Sequence, residues 1–190
     1  MNPFSRVLTG GKINTKHIPE IEKSTLITVS DPLKQYSSFF LCISLSAIIA
    51  TCGIAAESTA IIIGAMLIAP LMSPMIGTSF AITAGKPRAA LKTLGVTLAG
   101  TVIVVAVSMF VTLIIPTGVS LTGNEEVASR VAPRVVDLIV AVVSGLVGAL
   151  AIARDDIFDV IPGVAISISV VPPLCVVGAA LVGGDIVIAS

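Results

Sequence analysis

GAMLIAPLMSPMIG, residues 64–77, carries no charge, two prolines four residues apart and a glycine at each end. It lies inside an uncharged run from Ser58 to Gly85. That run is long enough to cross a bilayer, whose hydrocarbon core needs about 20 helical residues. Pro70 and Pro74 each remove a backbone donor and crowd the preceding turn. In lipid a released carbonyl must find a partner, so a break survives where protein or a wet cavity covers it. The stretch therefore predicts a broken membrane helix, with Ala69, Pro70, Ser73 and Pro74 as candidate ligands for a small solute or ion.

Composition supports the same class. Hydrophobic residues make up 55% of the chain and charged residues 12%, against about 25% charged in a typical soluble domain. Eleven basic and eleven acidic side chains cancel, so no basic excess exists to neutralise nucleic-acid phosphates. Cys42, Cys52 and Cys175 fall in apolar runs and have no ligand-like spacing to His17. Neither a metal site nor a cofactor site is expected, beyond an ion held by carbonyls and hydroxyls. No GxSxG or HExxH motif is present, and Asp155, Asp156 and Asp159 beside Arg154 read as a solvated turn. No enzyme activity is expected.

Outward from the quoted stretch, the pattern predicts an all-α polytopic membrane protein. A polar arm covers residues 1–35, where Asp31–Pro32 is a helix-start signal. The transmembrane domain covers 36–190, with five spans at about 36–56, 59–84, 93–115, 135–153 and 160–184. Ser44, Ser46, Ala47, Ala50, Thr51 and Gly53 give the first span small surfaces for helix contact. Gly95, Ala99 and Gly100 do the same for the third. Ala141, Gly145 and Ala149 form the clearest small-residue ridge and predict helix packing. Val119–Pro133 reads as a longer loop. Lys and Arg number nine on the side of the N-terminal arm and two on the other, which predicts a cytoplasmic N-terminus.

The fifth span repeats the oddity of the second, with Pro172 and Pro173 in mid-run. Paired broken helices in oppositely oriented halves point to a transporter-type midplane site. On that reading Ser167, Ser169, Pro172 and Pro173 join the candidate set. So do Glu57, Ser58 and Thr59, at the entrance to the first broken span. A 3+3 inverted repeat further predicts a sixth helix, after Ser190 or from a partner chain. Glu57, Asp137, Asp159 and Asp185 all fall near span ends, which argues against a buried carboxylate relay.

Two ordered motifs carry a family resemblance. ESTAIIIGAMLIAPLMSPMIG (residues 57–77) and PGVAISISVVPPL (residues 162–174) resemble the two signatures of the bacterial and archaeal hydrophobic membrane family called domain of unknown function 389. The resemblance covers roughly residues 30 to 190. It implies a multi-span protein of the prokaryotic inner membrane and no particular activity. It also implies a further hydrophobic helix after the second signature, and many members have a longer soluble N-terminal region.

Function is thus expected to be secondary transport of a small solute or ion through the broken segments. The alternatives are an oligomeric channel, or a non-transporting membrane scaffold or lipid-interacting protein. The expected partners are the lipid bilayer and further copies of the chain.

Overall fold

The computed structural model describes residues 32–115, 123, 124, 127, 128, 135–153 and 170–183. Six helices cover most of them: α1 Pro32–Ala55, α2 Thr59–Ile68, α3 Met72–Thr83, α4 Pro87–Ile114, α5 Val135–Ala153 and α6 Val171–Gly183. No strand occurs among the described residues.

The first span begins at Pro32, where a proline at the first helical position costs no hydrogen bond. The second expected span is two helices, α2 and α3, bent by 50° at the break. The third starts earlier than expected. Pro87 opens α4, so Arg88 and Lys92 sit on the helix and not in the turn. The physical reason is again a proline whose missing N–H would be an orphan there. Residues 160–169 of the fifth expected span lie outside the described residues, which give α6. Pro172 and Pro173 lie in its first turn, where missing N–H groups also cost little.

Neighbouring side chains give the helix directions. Tyr36 lies beside Lys92, a Cβ on Gly100 would touch Ile43, and Thr51 meets Ser108. α1 and α4 therefore run parallel. Gly53 abuts Ile62 and Ser46 meets Ala65, so α2 returns antiparallel to α1. Thr78 meets Thr93, so α3 continues antiparallel to α4. One bent crossing between two straight ones accounts for all of these pairs. α6 packs against α4 and α1 and touches α2, whereas α5 packs only marginally.

The core mixes small and large residues. Ala47, Ala50, Ser46, Thr51, Ala65 and Gly100 are buried beside Phe39, Ile43, Ile54, Ile62 and Leu71, while Leu41, Leu98, Val102, Phe110 and Leu113 point outward. Small residues inside let helix backbones approach, and large ones outside suit hydrocarbon. α1 from Leu33 and α4 are long and apolar enough to cross a membrane, as is the α2–α3 pair if it is one span. The apolar part of α5 (Val135–Leu150) and α6 are shorter. These helices are compatible with a membrane protein.

Two turns close with the same hydrogen-bond pattern. After α1, Ser58 N–H donates to the Gly53 carbonyl at 2.9 Å and Glu57 N–H to Ile54 at 3.2 Å. After α3, Lys86 N–H donates to Ala81 at 2.9 Å and Gly85 N–H to Ile82 at 3.1 Å. Both are Schellman caps, which need a left-handed residue. Gly85 takes that conformation at φ 66°, but Glu57 takes it at φ 50° with a side chain. The strain of such a residue is about 1 kcal/mol. Glu57→Gly should raise stability by about that amount, and Gly85→Ala should lower it similarly. Thermal unfolding in detergent micelles measures both.

Candidate functional site

The break between α2 and α3 is built from three residues. Ala69 leaves the helix at ψ 117°, with its N–H still bonded to the Ala65 carbonyl at 3.2 Å. Pro70 has no N–H, so the Met66 carbonyl loses its ordinary helical donor. Leu71 is buried, and its side chain sits against the Gly100 backbone between Phe39 and Ile43. Met75 N–H reaches the Leu71 carbonyl at a long 3.4 Å. Pro74 is buried in the first turn of α3.

Hydroxyls from the neighbouring helices secure both sides of this break. Ser46 on α1 donates to the Ala65 carbonyl at 2.7 Å, in the last turns of α2. On the other side, Thr78 Oγ1 lies 2.8 Å from the Pro74 carbonyl and 2.9 Å from Thr93 Oγ1 on α4. Thr78 thus bonds back to the residue four before it, as helical threonines do, and links α3 to α4.

A second hydroxyl cluster joins α1, α4 and α6. Ser108 donates to the Cys175 carbonyl at 2.7 Å. Thr51 Oγ1 lies 3.1 Å from Ser108 Oγ and 2.8 Å from the Ala47 carbonyl. All three side chains are buried. The Cys175 thiol makes a weak 3.8 Å contact with the Ala47 carbonyl. On α4, Thr97, Thr101 and Thr112 bond back to the residue four before. With Thr93 and Ser108 they give this helix hydroxyls along much of its length.

The expected site residues separate into groups. Ala69, Pro70, Ser73 and Pro74 lie together at the break, all partly or fully buried. Glu57, Ser58 and Thr59 lie at the opposite end of α2, a ten-residue helix and hence about 15 Å away. Glu57 is an exposed cap of α1, and Ser58 makes no side-chain cap bond to α2. These three do not join the break. Pro172 is buried and Pro173 half-buried at the start of α6, which packs on the same α1–α4 pair. Ser167 and Ser169 lie outside the described residues. Ala141, Gly145 and Ala149 face outward, so the ridge is unused within the protomer.

Ser46, Thr51, Thr93 and Ser108 escaped the sequence reading as partners of the broken segments. Their signal was a hydroxyl on an otherwise apolar helix, which alone does not distinguish back-bonding from a cross-helix bond. The buried polar side chains among the described residues are Ser46, Thr51, Thr93, Ser108, Thr112 and Asn124. None is charged. The arrangement can offer carbonyls and hydroxyls to a ligand.

These features define a helical protein with two membrane-length apolar helices and a bent apolar helix pair packed along them. The chain belongs to the family described as domain of unknown function 389, whose profile matches residues 66–190. It is also similar to an uncharacterized protein of Methanocaldococcus jannaschii, with 33% identity over 138 residues. The match covers 73% of this chain and 42% of that relative. No solved structure matches.

Proposed function

We propose that this chain is an integral protein of the prokaryotic inner membrane, N-terminus cytoplasmic, that moves a small solute or ion past the α2–α3 break. The observation that carries this reading is the break itself. Ala69–Leu71 interrupts an otherwise spanning pair at a 50° bend. Leu71 is buried there while Ala69 and Pro70 are half-buried, and Ser46 reaches the last turns of α2. Irregular backbone at membrane depth is tolerated where protein or a water-filled cavity surrounds it. α6 packs on the α1–α4 pair, but its Cys175 and Gly178 meet Ser108 and Val105. Pro172 and Pro173 therefore lie toward the Thr112 end of α4, away from the Leu71–Gly100 contact, and the site proposed is the α2–α3 break alone. The uncharged lining favours a neutral solute, or an ion held by carbonyls and hydroxyls. No catalytic step is proposed.

Proteoliposomes carrying dyes for sodium, potassium and chloride test this directly. Pro70→Ala restores the missing N–H and lets α2 and α3 straighten. Its flux should fall at least tenfold while its unfolding midpoint stays within a few degrees of wild type. Ser46→Ala should show a smaller fall. Wild-type vesicles no leakier than empty ones to all three ions refute ion transport. Loss of folded Pro70→Ala protein, with normal flux per folded molecule, assigns the proline to packing.

A second reading is favoured by α5. Its small-residue ridge is exposed, and a Cβ on Gly145 would touch nothing within 4 Å. Such a ridge suits contact with a second copy, in an oligomeric channel or scaffold.

A further inference from the structure

The α3–α4 hairpin opens toward its turn into a groove of about 400 Å³. That volume lies in the range of ligand pockets, about 300–1,000 Å³. Its walls are Ala81 and Ile82 from α3 and Pro87, Ala90, Leu91 and Leu94 from α4, with Lys86 at the rim. The floor is closed by Thr78, bonded across to Thr93. Gly85, at the turn, leaves the mouth open, because a Cβ there would meet nothing within 4 Å. Leu91 is 70% exposed and Ile82 65%, so the groove continues into an apolar outer surface.

Charge on the α3–α4 hairpin has one sign. Lys86, Arg88 and Lys92 fall within seven residues, and no Asp or Glu occurs from Ser58 to Asn124. Lys92 is held toward α1, its Nζ 6.0 Å from the centre of the Tyr36 ring. Lys86 and Arg88 are exposed beside the groove. The N-terminus of α4, with its positive dipole end, points the same way. An apolar slot with a cationic rim, at the end of membrane-length helices, matches one ligand chemistry: an acyl chain joined to a phosphate.

We propose that this groove binds an anionic phospholipid of the cytoplasmic leaflet, its phosphate at Lys86 and Arg88 and an acyl chain between Ile82, Ala90 and Leu94. Basic pockets between helices on the cytoplasmic side recognise anionic headgroups in this way. Zwitterionic lipid fills the slot equally well but gains less from the rim. The inference rests on the membrane placement proposed above and is independent of transport.

The test uses the full chain. Alkaline carbonate washing of membranes first checks placement: extraction of the chain refutes the membrane reading. With an integral chain, native mass spectrometry compares mixed micelles of phosphatidylglycerol and phosphatidylcholine. Phosphatidylglycerol should be retained at least fivefold over phosphatidylcholine and raise the unfolding midpoint by several degrees more. Lys86→Gln with Arg88→Gln should abolish the preference while the lipid-free unfolding midpoint stays within a few degrees of wild type. Ala90→Leu, which narrows the slot, should reduce retention of both lipids. Equal retention of the two lipids by wild type, or an undiminished preference in the Gln variant, overturns the proposal. So does an equal midpoint shift with inorganic phosphate alone, which assigns the rim to a free anion.

Discussion

Gly178→Val is expected to unfold most of the protein in mild detergent, with a loss of about 3 kcal/mol or more. The cause is local and steric. A Cβ on Gly178 would lie 2.8 Å from the Val105 carbonyl oxygen, 2.8 Å from Ser108 Cβ and 3.0 Å from Ser108 Oγ. The first of these atoms belongs to the backbone of a 28-residue helix, so it cannot swing aside as a side-chain tip would. Relief requires α6 to separate from α4. Separation also breaks the Ser108–Cys175 hydrogen bond and exposes Val176 and Ala179. Overpacking typically costs 1–3 kcal/mol, and a buried hydroxyl left without its partner adds about 1–3. Gly178→Ala should show the same sign at smaller size, because better helix propensity offsets about 1 kcal/mol of the clash. Gly145→Val is the matched control. It adds the same atoms to an exposed helix face with nothing nearby, so the protomer should unfold within about 0.5 kcal/mol of wild type. If α5 is the seam between copies, as proposed, that variant loses its assembly while keeping its fold. Unfolding midpoints and size-exclusion profiles separate the two outcomes.

The contrast between these glycines shows how far the sequence could be read. Both lie in small-residue runs of apolar helices. The ridge pattern favoured Gly145, yet the backbone contact in the protomer belongs to Gly178. Which small face meets which helix depends on tertiary arrangement, and a period of four does not encode it. Gly100 and Gly95 make the same point within one helix. Gly100 is buried against Phe39, Ile43 and Leu71, whereas Gly95 faces open space.

The break was legible because proline acts on its own backbone. Pro70 removes a donor wherever the helix packs, so the interruption could be placed to within a residue. Pro87 was the harder case. The basic residues 86–92 resembled a turn, but Gly85 ends α3 in the left-handed region and Pro87, two residues on, starts a helix, so α4 takes Arg88 and Lys92 into its first turns. The hydroxyl partners were the least legible part. Ser46 and Ser44 look alike in sequence. One bonds across to Ala65 and the other back to Phe40, a difference set by which face of α1 meets α2. Grouping Glu57, Ser58 and Thr59 with the break followed from nearness in the chain, and α2 intervenes.

Asn124 supplies the other large expected effect. It lies in what reads from sequence as a plain loop, although an asparagine followed by two glutamates is a recognised helix-start pattern. Its side chain is 1% exposed. Nδ2 donates to the Ile54 carbonyl at 3.0 Å, and Oδ1 accepts from Val127 N–H at 3.3 Å. One residue thus caps a helical turn and ties it to the C-terminal end of α1, beside the strained Glu57 turn. Asn124→Ala removes a cap worth about 1 kcal/mol, a cross-chain hydrogen bond worth about 1, and the packing of a buried side chain. The expected loss is about 2–3 kcal/mol, read as a lower unfolding midpoint in micelles. Asn124→Asp separates the two roles. The aspartate can still accept from Val127, but its second oxygen faces the Ile54 carbonyl with no proton to donate. Burial favours the neutral acid, so this variant should be less stable than Asn124→Ala near neutral pH. It should recover as pH falls, because the protonated carboxyl donates to Ile54 as the amide did. An Asp variant equal to wild type at neutral pH would mean that the Ile54 bond contributes nothing and that Asn124 acts as a cap alone.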